Sequence, residues 1–111
     1  MLGWLKRDPI KTLTPQEAYQ RHQRGEIALV DVREIGEWRQ MRIPGAIHLP
    51  LSELPSRLSE LPRDKPVVFY CLSGARSGSA LRICAQGKAD AEAHVGGGIT
   101  AWRLAGLPVE G

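Results

Sequence analysis

The sequence has few cysteines, no long apolar run and no block of like charge, and each absence excludes a class of protein. Its two cysteines cannot form the disulfide framework of a small secreted domain, and no Cys/His spacing indicates a zinc site. No run of about eighteen apolar residues exists, so no membrane-spanning helix is predicted. The net charge of +3 is spread along the chain, which predicts a solvated surface rather than a nucleic-acid-binding arm.

The rest of the composition is that of an ordinary globular protein, with 42% hydrophobic and 24% charged residues. A chain of 111 residues can bury one core, and we expect residues 1–111 to form a single domain. The segment Met1–Arg7 has no apolar core of signal-peptide length, so we expect a cytoplasmic protein. Trp4 and Leu5 of this tail could touch a membrane surface, but we expect a tail that simply packs one tryptophan.

Short apolar runs alternate with helical patterns along the chain. Thr14-Pro15-Gln16-Glu17 has the residues of a capped helix start, and Gly25 can end that helix in a left-handed conformation. Leucines at helical spacing between Leu51 and Leu61 are interrupted by Pro55, which predicts two separate turns. Strands are expected at 10–13, 27–32, 46–49, 91–95 and from 67 to the cysteine at 71, and further helices at 34–41, 77–86 and 99–104. This alternation predicts a mainly parallel, five-stranded α/β sheet flanked by helices on both faces.

The stretch Val67–Ser77 carries the residues with the most specific chemistry. A buried strand rich in β-branched and aromatic residues ends at Cys71, and a turn containing Gly74 leads to a helix predicted to begin at Ser77. Backbone amides of the loop and of the helix N-terminus can point at one spot, where the helix dipole and Arg76 add positive potential. Such surroundings stabilise a thiolate, which is the reactive form of cysteine. The alternative is a buried, inert cysteine at a strand end.

The length of this loop bears on its ligand. Four residues separate Cys71 from Arg76, so the loop is Cys-x4-Arg. A phosphate-handling cysteine loop of the tyrosine-phosphatase kind is one residue longer, and the position that would carry its arginine is Ser77 here. A smaller ring of amides suits a smaller guest, such as a single sulfur atom attached to the cysteine. The loop length therefore favours sulfur over a tetrahedral phosphoryl group.

The Cys-x-x-Gly-x-Arg-Ser loop resembles the active-site loop of the rhodanese family of sulfurtransferases. Three further segments resemble family segments in the family's order, and the resemblance covers about residues 11–108. They are residues 29–34 (Leu-Val-Asp-Val-Arg-Glu), 43–50 (Ile-Pro-Gly-Ala-Ile-His-Leu-Pro) and 97–102 (Gly-Gly-Ile-Thr-Ala-Trp). The resemblance implies an enzyme that moves a sulfane sulfur from thiosulfate or a persulfide to a thiol or other nucleophile, through a persulfide on Cys71.

The resemblance also implies roles for individual residues. Cys71 would be the nucleophile, and Arg76 would orient the loop, lower the pKa of the thiol and bind an anionic donor. Asp31 and Arg33 follow an apolar strand, so they would brace the loop from the same edge of the sheet. No metal or organic cofactor is needed. The residues expected to hold the persulfide are Leu72, Ser73, Gly74, Ala75 and Ser77. For Ser77 a role as a helix cap alone is an equally good interpretation.

Two positions depart from the family's pattern. Leu72 stands where many thiosulfate-using relatives carry a basic or polar residue, which favours a protein or low-molecular-weight persulfide as the donor. Met41-Arg42 stands before Ile43 where the family often shows Gly-His, so the contact made by that histidine is not carried over to this chain.

Several other reactive side chains are expected to serve the structure. Cys84 lies inside a predicted helix and should be a small core residue, and Glu37 should be a surface or bracing carboxylate. The three histidines, His22, His48 and His94, have no clustered partner in the sequence and are expected to be structural.

The expected partners are a small-molecule sulfur donor and acceptor, or a sulfur-relay protein. No nucleic acid and no stable membrane insertion are expected, and the protein should be a monomer. Two alternatives stay open. One is a phosphatase or arsenate reductase on the same fold, and the other is a non-catalytic binding module that never takes up sulfur.

Overall fold

Five strands and four helices alternate along residues 10–111, the part of the chain that the computed structural model describes. The expectations for the Met1–Arg7 tail lie outside the described residues. The strands are β1 (Thr12–Leu13), β2 (Ala28–Asp31), β3 (Ile47–His48), β4 (Val67–Tyr70) and β5 (Ala93–Val95). The helices are α1 (Pro15–Gln23), α2 (Ile35–Gln40), α3 (Ala75–Gln86) and α4 (Gly98–Leu104).

The strands form one parallel sheet in the order β1-β5-β4-β2-β3. The central strand β4 pairs with β2 from Ala28–Val67 to Asp31–Tyr70, and on its other side it places Phe69 beside His94 of β5. The prediction of a five-stranded parallel sheet is therefore confirmed. Because the carboxyl ends of parallel strands meet at one edge, the residues that follow β2, β4 and β5 come together there.

Helices cover both faces of the sheet, and each face has its own apolar core. Helices α1 and α4 cover one face, where Trp102 is fully buried and meets Tyr19 edge-to-face at 5.7 Å between ring centroids. Helix α3 and two 3-10 turns, Leu54–Ser56 and Leu58–Glu60, cover the other face. The β4 side chains are buried on both faces, which explains their unbroken apolar run.

The start of α1 was predictable because its capping signals are local. The Thr14 hydroxyl accepts from the Glu17 amide, the Glu17 carboxylate accepts from the Thr14 amide, and Gly25 follows the helix at φ +71°. The predicted split between Leu51 and Leu61 is confirmed as well. The two turns are separated at Arg57 and not at the proline. Pro55 lies near the start of the first 3-10 turn, a position that proline tolerates.

Helix α3 begins at Ala75, and the predicted start at Ser77 is wrong by two residues. Gly74 adopts φ +117°, which lets the chain turn sharply from the loop into the helix. Arg76 and Ser77 consequently lie in the first turn of α3. Within residues 10–111, no helix has both the length and the apolar character needed to cross a membrane.

Candidate active site

Cys71 is the first residue after β4 and is only 1% exposed. Its sulfur lies at the base of the loop formed by residues 71–77. The Gly74 amide donates to Sγ at 3.1 Å and the Ser77 amide donates at 3.3 Å, while Ser77 Oγ lies 3.5 Å from the same sulfur. The loop therefore surrounds the sulfur with hydrogen-bond donors.

The first turn of α4 supports this loop from the neighbouring strand end. The Ile99 amide donates to the Cys71 carbonyl at 2.9 Å, and the Thr100 amide donates to the Leu72 carbonyl at 3.1 Å. Gly98, the first residue of α4, adopts φ +60°, and a Cβ atom there would lie 2.4 Å from both of these carbonyl oxygens. Only glycine fits at this position, which explains the last glycine of the run at 96–98.

The surroundings of Cys71 favour its ionised form. Burial opposes ionisation, but hydrogen bonds from the Ser77 hydroxyl and from the amides of Ser77, Gly74 and Ser73 together hold the pKa of the thiol below its usual range. The positive end of the α3 dipole acts in the same direction. Cys84 differs, because burial alone raises the pKa of its thiol to about 11. Cys84 lies on the buried face of α3 and packs in the core, as expected.

Arg76 makes a different contact from the one its position in the loop suggested. Its guanidinium forms a bidentate pair with Glu37 of α2, at 2.7 Å and 2.9 Å. The hydrogen bonds from Arg76 hold the pKa of Glu37 at about 2. The same hydrogen bonds raise the pKa of Arg76, and the negative charge of Cys71 raises it slightly further. Arg76 thus ties the start of α3 to α2, which fits the expected role of orienting the loop.

Asp31 and Arg33 form a buried ion pair at the end of β2, beside the loop. Asp31 accepts from the Arg33 backbone amide at 2.8 Å, from Nη2 at 2.8 Å and from Nε at 3.1 Å. Arg33 also donates to the Met41 carbonyl, and its own carbonyl lies 2.7 Å from His48 Nε2. Burial disfavours the charged guanidinium, but the hydrogen bonds to Asp31 and the negative charge of Asp31 together outweigh it and raise the pKa of Arg33. These contacts join Asp31 and Arg33 to each other and to the chain at Met41 and His48, so their bracing of the loop stays a prediction.

Sequence reasoning missed the position of His94. This half-buried residue of β5 places Nδ1 2.7 Å from Ser77 Oγ and Nε2 3.2 Å from Thr12 Oγ1. The other histidines lie elsewhere: His22 contacts the Pro44 carbonyl, and His48 stacks on Trp38. The only sequence signal for His94 was its place at the end of a strand, just before the Gly-rich segment.

The remaining loop residues differ in exposure. Leu72, with 45% of its surface exposed, and the exposed Ser73 and Ala75 face outward, whereas Ser77 is fully buried beside the sulfur. Among residues 10–111, no group of three or more His, Cys, Asp or Glu side chains is arranged to hold a metal ion. The arrangement provides a stabilised thiolate within a ring of backbone amides.

Comparison with known proteins gives matches over most of the chain. The family model of the rhodanese-like domain matches residues 14–105. A sulfurtransferase of Allochromatium vinosum is 43% identical over 84 residues, covering 76% of this chain and 78% of that protein. A rhodanese-related protein of Thermoplasma volcanium shares 30% sequence identity, with a TM-score of 0.81 over 90% of this chain and 97% of that chain.

A second solved structure has a different description. It is a Rhodopseudomonas palustris protein of unknown function, described as a possible tyrosine phosphatase, with 34% identity and a TM-score of 0.81 over 91% of this chain and 85% of that chain. Several curated relatives are longer, and the chain spans 46%, 54% and 24% of the length of three of them.

Proposed function

Because this chain belongs to the rhodanese-like domain family, we propose that it is a sulfurtransferase whose nucleophile is Cys71. The observation that carries this proposal is the ring of donors around the sulfur, with the Gly74 and Ser77 amides at 3.1 Å and 3.3 Å from Sγ. These amides favour the thiolate, which is the form that attacks. The sulfurtransferase of Allochromatium vinosum supports the same activity by its similarity.

In the first step the Cys71 thiolate attacks the outer sulfur of the donor. A bond forms between Sγ and that sulfur, and the sulfur–sulfur bond of the donor breaks. Thiosulfate would thereby release sulfite, and a persulfide donor would release a thiolate. In the second step an acceptor thiolate attacks the outer sulfur of the Cys71 persulfide, and Cys71 leaves as a thiolate. Two easier transfers thereby replace one.

The loop supplies the electrostatic part of this mechanism. Ala75 and Arg76 lie in the first turn of α3, where backbone amides have no intrahelical partner and can donate to the anionic outer sulfur. The guanidinium of Arg76 is held by Glu37, so it contributes charge and position rather than a direct bond to the nucleophile.

The exposed Leu72 bears on the choice of donor. An apolar side chain at the rim offers no charge to thiosulfate, whereas it can pack against a protein or a low-molecular-weight thiol carrier. We therefore propose a persulfide rather than thiosulfate as the better donor. The exposed Ser73 and Ala75 leave the same rim open to such a carrier.

Phosphatase chemistry is the alternative function, because the similar Rhodopseudomonas palustris protein is described as a possible tyrosine phosphatase. Two observations favour sulfur. The loop is one residue shorter than a phosphate-binding cysteine loop, and the only arginine within it donates two hydrogen bonds to Glu37. A phosphoryl group would need that guanidinium released from its carboxylate.

The proposal is tested by intact mass of the reduced protein after incubation with thiosulfate, or with glutathione persulfide. We expect a gain of one sulfur atom that a reductant removes, larger with glutathione persulfide, and absent in Cys71→Ser. Cys84→Ser is the matched control and should still gain the sulfur, because Cys84 lies in the core. No gain with either donor, together with hydrolysis of an aryl phosphate that depends on Cys71, would overturn the proposal in favour of phosphatase chemistry.

A further inference from the structure

A chain of hydrogen-bonding side chains leads away from the sulfur of Cys71. Sγ lies 3.5 Å from Ser77 Oγ, Ser77 Oγ lies 2.7 Å from His94 Nδ1, and His94 Nε2 lies 3.2 Å from Thr12 Oγ1. These side chains come from the loop after β4, from α3, from β5 and from β1. Ser77 is fully buried, so its hydroxyl exchanges protons with its neighbours rather than with bulk water.

We propose that His94 accepts the proton of the Cys71 thiol through Ser77, and that it is therefore a positioning residue for thiolate formation. This inference deepens the proposed sulfur transfer and rests on Cys71 being its nucleophile. The thiol proton passes to Ser77 Oγ while the Ser77 hydroxyl proton passes to His94 Nδ1. The products are a thiolate and an imidazolium, so charge and protons balance and nothing is oxidised or reduced.

The thiolate state keeps the whole chain hydrogen-bonded. Ser77 then donates to the sulfur, and the imidazolium donates from Nδ1 to Ser77 Oγ and from Nε2 to Thr12 Oγ1. In the thiol state the Ser77 hydroxyl has two acceptors, His94 Nδ1 at 2.7 Å and the Gly74 carbonyl at 3.2 Å, and the shorter contact favours donation to Nδ1. Each state thus satisfies the buried hydroxyl, and moving between them needs only the two proton shifts along existing contacts.

Charged groups on the elements packed against β5 are paired elsewhere or exposed to solvent. On α3, Arg76 is bound by Glu37, and Lys11 beside β1 is bound by Glu92, at 2.9 Å. Arg82 of α3 is exposed, and β4 contributes the apolar Phe69 next to His94. Among the described residues, the His94 side chain bonds to Ser77 and Thr12 and to no carboxylate. Burial holds the pKa of His94 below its usual value, which keeps the ring neutral before the transfer and disfavours the imidazolium. The negative charge of the Cys71 thiolate offsets this cost once the proton has moved.

A purely structural role would make the same contacts, so the test must separate titration from hydrogen bonding. In His94→Asn the side-chain amide can reach Ser77 Oγ from the place of Nδ1, but it does not titrate. His22→Asn is the matched control, because His22 contacts the Pro44 carbonyl and not the site. All variants are made in a Cys84→Ala background, so that alkylation reports on Cys71 alone.

The measurement is the rate of alkylation by iodoacetamide across the pH range around neutrality. The unaltered site should show two inflections, since two coupled groups titrate as a pair. His94→Asn should show one inflection, moved upward by about one unit, which lowers the rate on the acid side about tenfold. His22→Asn should leave the profile unchanged. A His94→Asn profile that superimposes on the unaltered one, or that falls equally at every pH, overturns the proposal.

A second measurement tests the proposal without the His94→Asn variant, and is needed if that variant does not fold. NMR titration of the His94 ring protons compares the native protein with Cys71→Ser, which leaves the histidine in place. Coupling requires the imidazolium to persist to higher pH when the thiolate is present, and equal titrations overturn the relay. The two proposals can fail separately. Coupled titration of Cys71 and His94, together with no persulfide in the mass experiment, would refute sulfur transfer and leave the proton transfer to His94 supported.

Discussion

Replacing Asp31 by asparagine should destabilise this protein strongly, because the change leaves a buried guanidinium without its counter-charge. Asp31 is 0% exposed and Arg33 is 4% exposed, so water cannot replace the lost interaction. Asparagine keeps one acceptor oxygen, but its amide group faces Arg33 Nη2, where the carboxylate oxygen now accepts at 2.8 Å. Removing one partner of a buried pair costs about 3–5 kcal/mol.

That cost is large compared with the stability of a small domain, which is about 5–15 kcal/mol. For a chain of this length it corresponds to a fall in the melting temperature of roughly 12–20 °C. Urea unfolding followed by tryptophan fluorescence, to which the buried Trp102 contributes, measures it, with an unchanged slope showing that both states keep their compactness. Glu60→Gln is the control. Its pair with Arg57 is exposed to solvent, so the unfolding midpoint should move little.

A double variant separates the lost ion pair from other effects at the same place. Asp31→Asn combined with Arg33→Met removes the stranded charge and keeps an unbranched side chain of similar length. It should be more stable than Asp31→Asn alone, because an apolar side chain needs no counter-charge in the interior. A loss below about 1 kcal/mol in the single variant, or a double variant less stable than the single one, would refute the reasoning.

Two further predictions concern the elements around the loop. The pKa of Glu37 is about 2 in the folded protein against 4.5 as its ordinary value, so its pair with Arg76 stabilises above about pH 4.5 and this contribution is lost as pH falls toward 2. Glu37→Gln should therefore lower the melting temperature at pH 7 and approach the unaltered protein at low pH; a difference that is constant with pH would contradict this. Gly98→Ala places Cβ 2.4 Å from the carbonyl oxygen of Cys71 at φ +60° and should cost about 1–3 kcal/mol by urea unfolding, whereas Gly36→Ala in open space should cost nothing.

The sequence predicted those parts of the molecule whose signals are local. The capped start of α1 at Thr14, the apolar run of β4 and the segments shared with the rhodanese family each lie within a few residues, and the fold and the family are confirmed. The start of α3 was misplaced because neither Ala75 nor Arg76 carries a capping signal, and the turn depends on the positive φ of Gly74.

The contacts that could not be predicted join residues far apart in the sequence. Arg76 and Glu37 are 39 positions apart, and Ser77 and His94 are 17 apart. No periodicity or spacing connects such pairs, because only the order of strands in the sheet brings them together. For this reason Glu37 was expected to be a surface or bracing carboxylate with no partner named, and His94 was expected to be structural although it contacts Ser77.

These contacts indicate which parts of the loop hold the sulfur and which parts face the substrate. If backbone amides hold the sulfur as proposed, the chemistry depends on the course of the chain, which Gly74 and Gly98 permit and the Arg76–Glu37 pair fixes. Side chains that point outward then do not take part in stabilising the thiolate. Leu72 and its exposed neighbours in the loop can therefore change without loss of the nucleophile, and this rim is where selection between sulfur donors should act.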